Sequence, residues 1–176
     1  NSYENYLKKD AWTWEHQALV RGRFITGDTA TQEKYEAIRH RILCLTRNEA
    51  DLKLEVREMR EKMRETLAKS NKEIFDLKQG IGGITDIEFI VQFCTLAWSE
   101  KHPGLTKFTD NMSLLDALAE QQLLSQEYAG TLKQAYCVFR DRGHKEALQG
   151  KKALVAQQEL VEIRQQVADI WQAVMG

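Results

Sequence analysis

The residues of this chain that could do chemistry are concentrated in a short segment from Lys78 to Phe89. Three of the ten glycines in the sequence fall within four positions of that segment, at Gly80, Gly82 and Gly83. A glycine-rich loop that leads into a helix is a ready anion site, because the backbone approaches closely and the first-turn N–H groups point outward with the helix dipole. Phosphate is the natural ligand of such a loop.

The residues after the glycines predict how the following helix begins. Thr85 is expected to be the N-cap, and Glu88, three residues later, completes a capping box. Ile84 and Phe89 hold the two positions of a hydrophobic staple. We therefore predict a glycine-hinged loop that leads into a sharply defined helix start.

Asp86 and Glu88 suggest a metal site, but their spacing argues against one. At ~100° per residue, side chains two residues apart on a helix lie about 200° apart around its axis and cannot chelate one ion together. We predict a structural capping role for Glu88 and keep a functional surface role open for Asp86. Lys78 is the nearest cation and could balance either a carboxylate or a phosphate.

A row of cations on the preceding predicted helix is a second candidate site. Lys53, Arg57, Arg60 and Arg64 recur at i, i+4, i+7 and i+11, one step round from the apolar positions of that helix. Like charges four residues apart cost about 0.2–0.5 kcal/mol each unless a negative group relieves them. The row is either a mixed, solvated face or an interface for acidic groups, supplied by a neighbouring domain or by nucleotide phosphates.

Glu15 is a candidate buried polar residue in the opening helix. It follows Trp12 and Trp14 and has no basic residue three or four positions away, so a partner must come from another element if it is buried. His16 beside it is more typical of a packed or surface histidine than of a base or ligand. No Ser/His/Asp, Cys/His, His-Glu-x-x-His or Walker-type pattern occurs, so we predict no catalytic residue and no metal site in this chain.

Composition places the chain among helical globular proteins. A length of 176 residues suits one helical domain spanning residues 1–176, and 43% hydrophobic and 29% charged residues with one proline are unlike a disordered chain. The longest apolar run is interrupted by Glu88, Gln92 and Thr95, and it is too short to cross a bilayer. A net charge of −1 removes the broad attraction on which binding to nucleic acid or anionic membranes rests.

The cysteines indicate the redox compartment. Cys44, Cys94 and Cys137 are odd in number and widely spaced, and each is flanked by apolar residues of a predicted helix. No Cys-x-x-Cys or Cys/His cluster accompanies them, so reduced core thiols are expected rather than a disulfide or a metal site. Reduced thiols favour a cytoplasmic location.

Apolar residues recur at helical spacing along the chain and no strand alternation is visible. We predict an all-α fold, a bundle of about six or seven helices without a sheet. The helix from Asp86 to about Lys101 is apolar almost all round and should be the buried centre. The first helix is predicted from about Tyr3 to Ile25.

Three segments resemble the glutamine synthetase adenylyltransferase family, the bifunctional enzymes that add AMP to glutamine synthetase and remove it. They are residues 11–21 (AWTWEHQALVR), 55–63 (EVREMREKM) and 82–90 (GGITDIEFI). In that family each half has a nucleotidyltransferase domain followed by a helical domain. The TDIEF form of the motif looks like the adenylylating half, so the resemblance implies that this chain is the helical domain after an absent nucleotidyltransferase domain.

The resemblance also implies an activity and partners for the parent enzyme. The parent would transfer AMP from ATP, with Mg²⁺, to a tyrosine of glutamine synthetase and respond to glutamine and a PII-type signal protein. The family's catalytic signature, a Gly-Ser motif with closely spaced aspartates on strands, does not occur here. We therefore expect the chain alone to be inactive and assign no cofactor to the chain itself.

Two hypotheses follow from these observations. In the first, the glycine loop and the cation row face the nucleotidyltransferase domain or its nucleotide. The candidate groups are Lys78, Gly80, Gly82, Gly83, Asp86, Arg57, Arg60 and Arg64. In the second, the bundle is a non-catalytic interaction module that docks the PII-type protein or glutamine synthetase and touches no nucleotide.

Overall fold

The computed structural model describes residues 2–176, and over that range it forms eight α-helices and one pair of short strands. The helices are α1 (Ser2–Lys9), α2 (Thr13–Val20), α3 (Thr29–Leu43), α4 (Glu49–Leu67), α5 (Ile84–Trp98), α6 (Asn111–Glu120), α7 (Gln126–Leu148) and α8 (Val161–Met175). A short 3₁₀ helix covers Pro103–Lys107. The predicted all-helical class is confirmed, although the predicted count of six or seven helices is too low.

The count differs because the predicted opening helix is two helices. Trp12 has extended backbone angles between α1 and α2, and its N–H donates to the Glu15 carboxylate at 2.9 Å. Glu15 lies in the first turn of α2 and thus caps the start of that helix. α2 then ends at Val20, so Arg21 to Ile25, which were predicted to be helical, lie outside the observed helix.

The prediction that the chain has no sheet is wrong. Strands β1 (Ile74–Asp76) and β2 (Leu154–Ala156) pair antiparallel, with Phe75 opposite Val155. Phe75 and Val155 are both buried, so the pair contributes to the core. Three residues are too few to show an alternating pattern, and the partners are far apart in the chain. The pairing brings the α4–α5 connection against the α7–α8 connection.

α5 is the centre of the bundle, as predicted. Ten of its fifteen residues are buried, and it contacts α2, α4, α6, α7 and α8. Its N-terminus therefore lies where the α4–α5 connection, α4 and α8 meet. Any group at the start of α5 is positioned by several elements.

The cysteines occupy three different environments and all are free thiols. Cys94 lies in α5 and is buried, and burial raises the pKa of its thiol well above the ordinary value. Cys44 is half-buried, whereas Cys137 is exposed on α7. The expectation of core thiols thus holds for Cys94 and is wrong for Cys137, because that position faces outward on α7.

Candidate functional site

The start of α5 differs from the predicted cap. The N-cap is Gly83, with no side-chain cap hydrogen bond, and Thr85 lies inside the first turn. Thr85 is buried, and its backbone N–H donates to the Lys78 carbonyl at 3.1 Å. The loop itself, through the Lys78 carbonyl, satisfies this N–H group, so no threonine cap is required.

Asp86 takes the role predicted for Glu88. It is the third residue of α5, and its Oδ2 accepts the Gly82 N–H at 2.7 Å, as the acidic residue of a capping box reaches back to the start of a helix. Glu88 points elsewhere and forms an ion pair with Arg21 at 2.5 Å. The structural cap at Thr85 and Glu88 is therefore replaced by Gly83 and Asp86.

The Asp86 carboxylate is buried in an ion pair rather than turned outward. Its Oδ1 lies 2.6 Å from Nε of Arg60 and 3.1 Å from Nη2 of Arg64. The exposed fractions of Arg60 and Asp86 are 0% and 1%, so neither is available at the surface. Burial lowers the pKa of Arg60, although the neighbouring Asp86 partly offsets that shift. A buried pair is costly to break because the remaining charge loses its partner.

Arg60 also ties the glycine loop to α4. Its guanidinium donates to the side-chain and backbone oxygens of Gln79, at 3.1 and 3.0 Å, and lies 5.9 Å from the centre of the Phe89 ring. We call Arg60, Arg64 and Asp86 the buried triad. It joins α4, the loop and α5 with charge-assisted hydrogen bonds.

The predicted cation row does not form one surface. Arg60 points inward to Asp86, and Arg64 is half-buried between Asp86 and Glu61. Arg57 is exposed, and Lys53 lies 5.8 Å from the centre of the Phe93 ring. Of the row, Arg57 alone keeps the predicted outward position, and its role toward another domain stays a prediction.

The three loop glycines are buried and packed against this chain. Gly82 has φ +75°, and a Cβ there would lie 2.0 Å from the Arg164 carbonyl oxygen at the start of α8. A Cβ at Gly80 would lie 2.3 Å from the Phe75 ring, and one at Gly83 would lie 2.8 Å from the Leu77 carbonyl oxygen. The glycines therefore permit close backbone packing. They form no open cradle for a phosphate.

A cleft of about 990 Å³ opens beside the glycine loop. We call it the basic cleft, because its lining includes six cationic side chains and two carboxylates. The cations are Arg21, Lys69, Lys78, Arg140, Lys151 and Lys152, and the carboxylates are Asp76 and Glu88. Apolar side chains of α4, α5 and α7 form the rest of the lining, among them Met63, Ile84 and Tyr136.

The two carboxylates of the basic cleft are already engaged. Asp76 Oδ1 accepts the backbone N–H groups of Lys78 and Gln79 at 2.9 and 3.0 Å, and Glu88 pairs with Arg21. Within residues 2–176, no ion pair forms at Lys69, Lys78, Arg140, Lys151 or Lys152. Clefts lined by one sign of charge focus the electric field and concentrate ions of the opposite sign.

Glu15 is half-buried rather than buried. Its carboxylate accepts the Tyr6 hydroxyl at 2.6 Å, and this hydrogen bond with the Trp12 N–H lowers its pKa below the ordinary value. The partner therefore comes from α1. Trp12 and Trp14 are 71% and 49% exposed, so they do not bury it.

His16 is a packed histidine, as predicted. Its Nε2 lies 2.8 Å from the Leu7 carbonyl oxygen, and burial lowers its pKa. The neutral ring therefore donates its Nε2–H to Leu7. It holds α1 against α2, and no carboxylate among residues 2–176 forms an ion pair with it.

The described part of the chain offers no cluster of three metal-ligating side chains. Asp86, the most deeply buried carboxylate, is used by Arg60 and Arg64. No helix within residues 2–176 is long and apolar enough to cross a membrane.

Sequence reasoning missed most of the basic cleft. It identified Lys78 but not Arg21, Lys69, Arg140 or Lys152, which come from four separate parts of the chain. The Lys69 N–H donates to the side chain of Asp76, and Asp76 pairs with Leu154, two residues after Lys152. Three-residue strands leave no pattern that predicts this arrangement. The adjacent basic residues Lys151 and Lys152 were the one available local signal.

Comparison with known proteins gives matches over most of the chain. Residues 50–152 match the family model described as GlnD PII-uridylyltransferase, and residues 1–38 match the one described as glutamate-ammonia ligase adenylyltransferase. The chain is 47% identical over 175 residues, 99% of its length, to the bifunctional glutamine synthetase adenylyltransferase/adenylyl-removing enzyme of Methylococcus capsulatus. It spans 18% of the length of that enzyme.

Proposed function

This chain belongs to the glutamine synthetase adenylyltransferase family, and on that premise we propose that it is a helical domain that docks and positions a nucleotidyltransferase domain. The parent enzyme transfers AMP from ATP to a tyrosine of glutamine synthetase, in the cytoplasm. Phosphoryl-group transfer depends largely on positioning and charge stabilisation, so a domain without catalytic residues still affects its rate.

The observation that carries this proposal is the exposure of three large apolar residues near the start of the chain. Trp12, Trp14 and Ile25 are 71%, 49% and 75% exposed, in a chain whose other tryptophans are half-buried. Aromatic side chains of this kind are enriched among the anchors of protein–protein interfaces. These three residues lie within residues 1–38, which match the adenylyltransferase family model. The proposed partner of these three residues is the nucleotidyltransferase domain of the same enzyme.

The ATP and Mg²⁺ of the transfer belong, in this proposal, to that nucleotidyltransferase domain. The donor groups described here do not fit a resident metal, because Asp86 is held by two arginines and Asp76 by backbone N–H groups. We assign the chain no step of bond making or breaking. Its contribution is the relative placement of the domains.

The test joins the chain to the nucleotidyltransferase domain and measures ATP-dependent AMP labelling of glutamine synthetase. The double variant Trp12→Ala/Trp14→Ala should label at least about tenfold more slowly, because buried aromatic anchors dominate interface energies. Leu148→Ala is the control, since Leu148 is 89% exposed at the far end of α7. Unchanged labelling in a folded double variant would refute the docking role.

A second function is favoured by the match of residues 50–152 to the PII-uridylyltransferase family model. Enzymes with that name act on PII, so this part of the chain could dock a PII-type signal protein and touch no nucleotide. Calorimetry with the PII-type protein separates the two functions. Heat of binding from the signal protein, together with unchanged labelling in the tryptophan variant, would favour the interaction module.

A further inference from the structure

The basic cleft carries a positive charge that the described chain does not neutralise. We propose that it binds the phosphate groups of a small polyphosphorylated molecule of the nucleoside triphosphate class, with Lys69, Lys152 and Lys78 as the main contacts. This site goes beyond the docking function and does not depend on it. It also differs from the predicted phosphate cradle, because the ligands are lysine side chains rather than glycine backbone.

Lys69 and Lys152 converge in the lining of the basic cleft. The Lys69 N–H donates to the side chain of Asp76 in β1 at 3.3 Å, and Asp76 pairs with Leu154, two residues after Lys152. The ammonium of Lys69 is close enough to lower the pKa of Lys152 below its ordinary value. Two ammonium groups that repel each other in the free protein are drawn together by a doubly charged phosphate between them.

Most carboxylates near these lysines are paired with other cations. The nearby acids of α7 and the following loop are paired elsewhere: Asp141 with Lys145, and Glu146 and Glu159 with Arg142. Glu88 pairs with Arg21 at the edge of the cleft. Asp76, the other carboxylate of the lining, accepts only backbone N–H groups, and its single charge leaves most of the positive charge of Lys69, Lys78 and Lys152 available to an anionic ligand.

The loop that carries Lys78 has a fixed position. The Lys78 N–H donates to Asp76, and its carbonyl accepts the Thr85 N–H. The buried triad anchors the next residue, Gln79, through Arg60. A lysine on such a rigid backbone loses less freedom on binding than one on a mobile loop.

The shape of the basic cleft favours a small molecule with an apolar part. Its volume of about 990 Å³ is at the upper end of the range for ligand pockets, which is roughly 300–1,000 Å³. Met63, Ile84 and Tyr136 supply an apolar wall beside the lysines, and Arg140 lies 5.6 Å from the centre of the Tyr136 ring. A nucleoside triphosphate offers both a flat apolar base and a chain of phosphates.

The experiment is calorimetric titration of the 176-residue chain with sodium tripolyphosphate at low ionic strength. The double variant Lys69→Ala/Lys152→Ala is compared with Lys101→Ala/Lys107→Ala, which removes the same charge from exposed lysines outside the basic cleft. Circular dichroism establishes that both variants are folded. The cleft variant should bind about tenfold more weakly or worse, and the control should bind like the parent chain.

A second titration with Mg-free ATP tests the ligand class. ATP binding by the chain alone assigns a free nucleotide as the source. If ATP binds only when the nucleotidyltransferase domain is joined to the chain, and the cleft variant of that joined protein does not bind it, the phosphate is one that the domain presents. Lys69→Arg/Lys152→Arg should retain binding in either case, because the charges remain.

Three results would overturn the proposal. The first is no binding of tripolyphosphate or ATP by either protein. The second is an equal loss in the cleft variant and the control, which would indicate only general charge attraction. The third is a poly-glutamate peptide that binds more tightly than tripolyphosphate at equal ionic strength, since that would assign the basic cleft to an acidic protein segment. The docking proposal fails separately, through the tryptophan variant.

Discussion

The buried triad and the basic cleft are neighbouring clusters of cations that differ in whether the chain neutralises them. In the buried triad, Arg60 and Arg64 share the carboxylate of Asp86, and the Arg60–Asp86 pair is withdrawn from solvent. In the basic cleft, Lys69, Lys78 and Lys152 are exposed and form no ion pair with any of residues 2–176. Cationic residues of this chain are structural where the chain supplies the negative partner. Where the chain supplies none, they remain available for a ligand.

Substitution of Asp86 should lower the stability of the fold more than the other changes described below. Asp86→Ala leaves Arg60 buried without its counter-ion and the Gly82 N–H without its acceptor, so the free energy of unfolding should fall by about 3–5 kcal/mol. Urea unfolding measures the loss. Asp116→Ala is the control, because Asp116 is 54% exposed and its pair with Lys133 contributes about 1 kcal/mol or less. Similar losses in both variants would contradict the structural role of the triad.

Substitution of Gly82 tests whether the loop is a packed structural element. Gly82→Ala and Gly150→Ala both place a side chain at positive φ, +75° and +72°, which costs about 1–2 kcal/mol. At Gly82 the new Cβ also clashes with the Arg164 carbonyl, whereas Gly150 faces open space. Overpacking adds about 1–3 kcal/mol, so Gly82→Ala should be clearly the less stable variant in urea. Equal losses would mean that the loop is free to move away from α8.

Arg21 lines the basic cleft and also pairs with Glu88, so its substitution changes both an ion pair and the charge of the cleft. Its side chain is 39% exposed, so after allowance for solvent screening Arg21→Ala should cost about 1 kcal/mol of stability or less. The Glu88 carboxylate then loses its partner and lies free in the basic cleft. Tripolyphosphate binding should weaken more than stability does. The double variant Arg21→Ala/Glu88→Gln should recover part of that affinity. A lack of recovery would contradict the idea that the free Glu88 charge weakens tripolyphosphate binding.

The lysines of the basic cleft should matter least for folding. Lys69→Ala/Lys152→Ala removes two mutually repelling exposed charges, so stability should stay unchanged or rise slightly. Added salt should stabilise the parent chain more than this variant, because salt screens the repulsion that the variant lacks. Urea unfolding at low and high salt measures the difference. A marked loss of stability would make these lysines structural, like Arg60.

The alkaline pH dependence of stability gives the smallest effect. The folded-state pKa of Lys152 is lowered by Lys69, so between that pKa and the ordinary value of 10.5 the unfolded chain holds the proton that the folded chain has lost. Stability therefore rises with pH across this window, and the benefit is lost as pH falls through the folded-state pKa. Lys69→Ala should flatten this rise, whereas Lys101→Ala should not. Identical profiles would contradict the proximity of the two lysines.

Sequence reasoning located the glycine loop but assigned its parts incorrectly. A capping box at Thr85 and Glu88 fits the local rules as well as the observed start at Gly83 with Asp86. Arg60 and Arg64 on α4 decide between these alternatives, since they draw the Asp86 carboxylate inward. Arg21 draws Glu88 away in the same manner. Local patterns cannot show which distant cation a carboxylate will meet.

By itself, the sequence determined the helical class, the central position of α5 and the family, because these depend on the spacing and identity of residues near one another in the chain. Only the tertiary structure decided which charges are neutralised within the chain. Asp86 meets Arg60 across 26 positions, and Lys69 lies close enough to Lys152 to lower its pKa across more than three times that separation. Electrostatic partnership depends on distance in space, and the fold sets that distance.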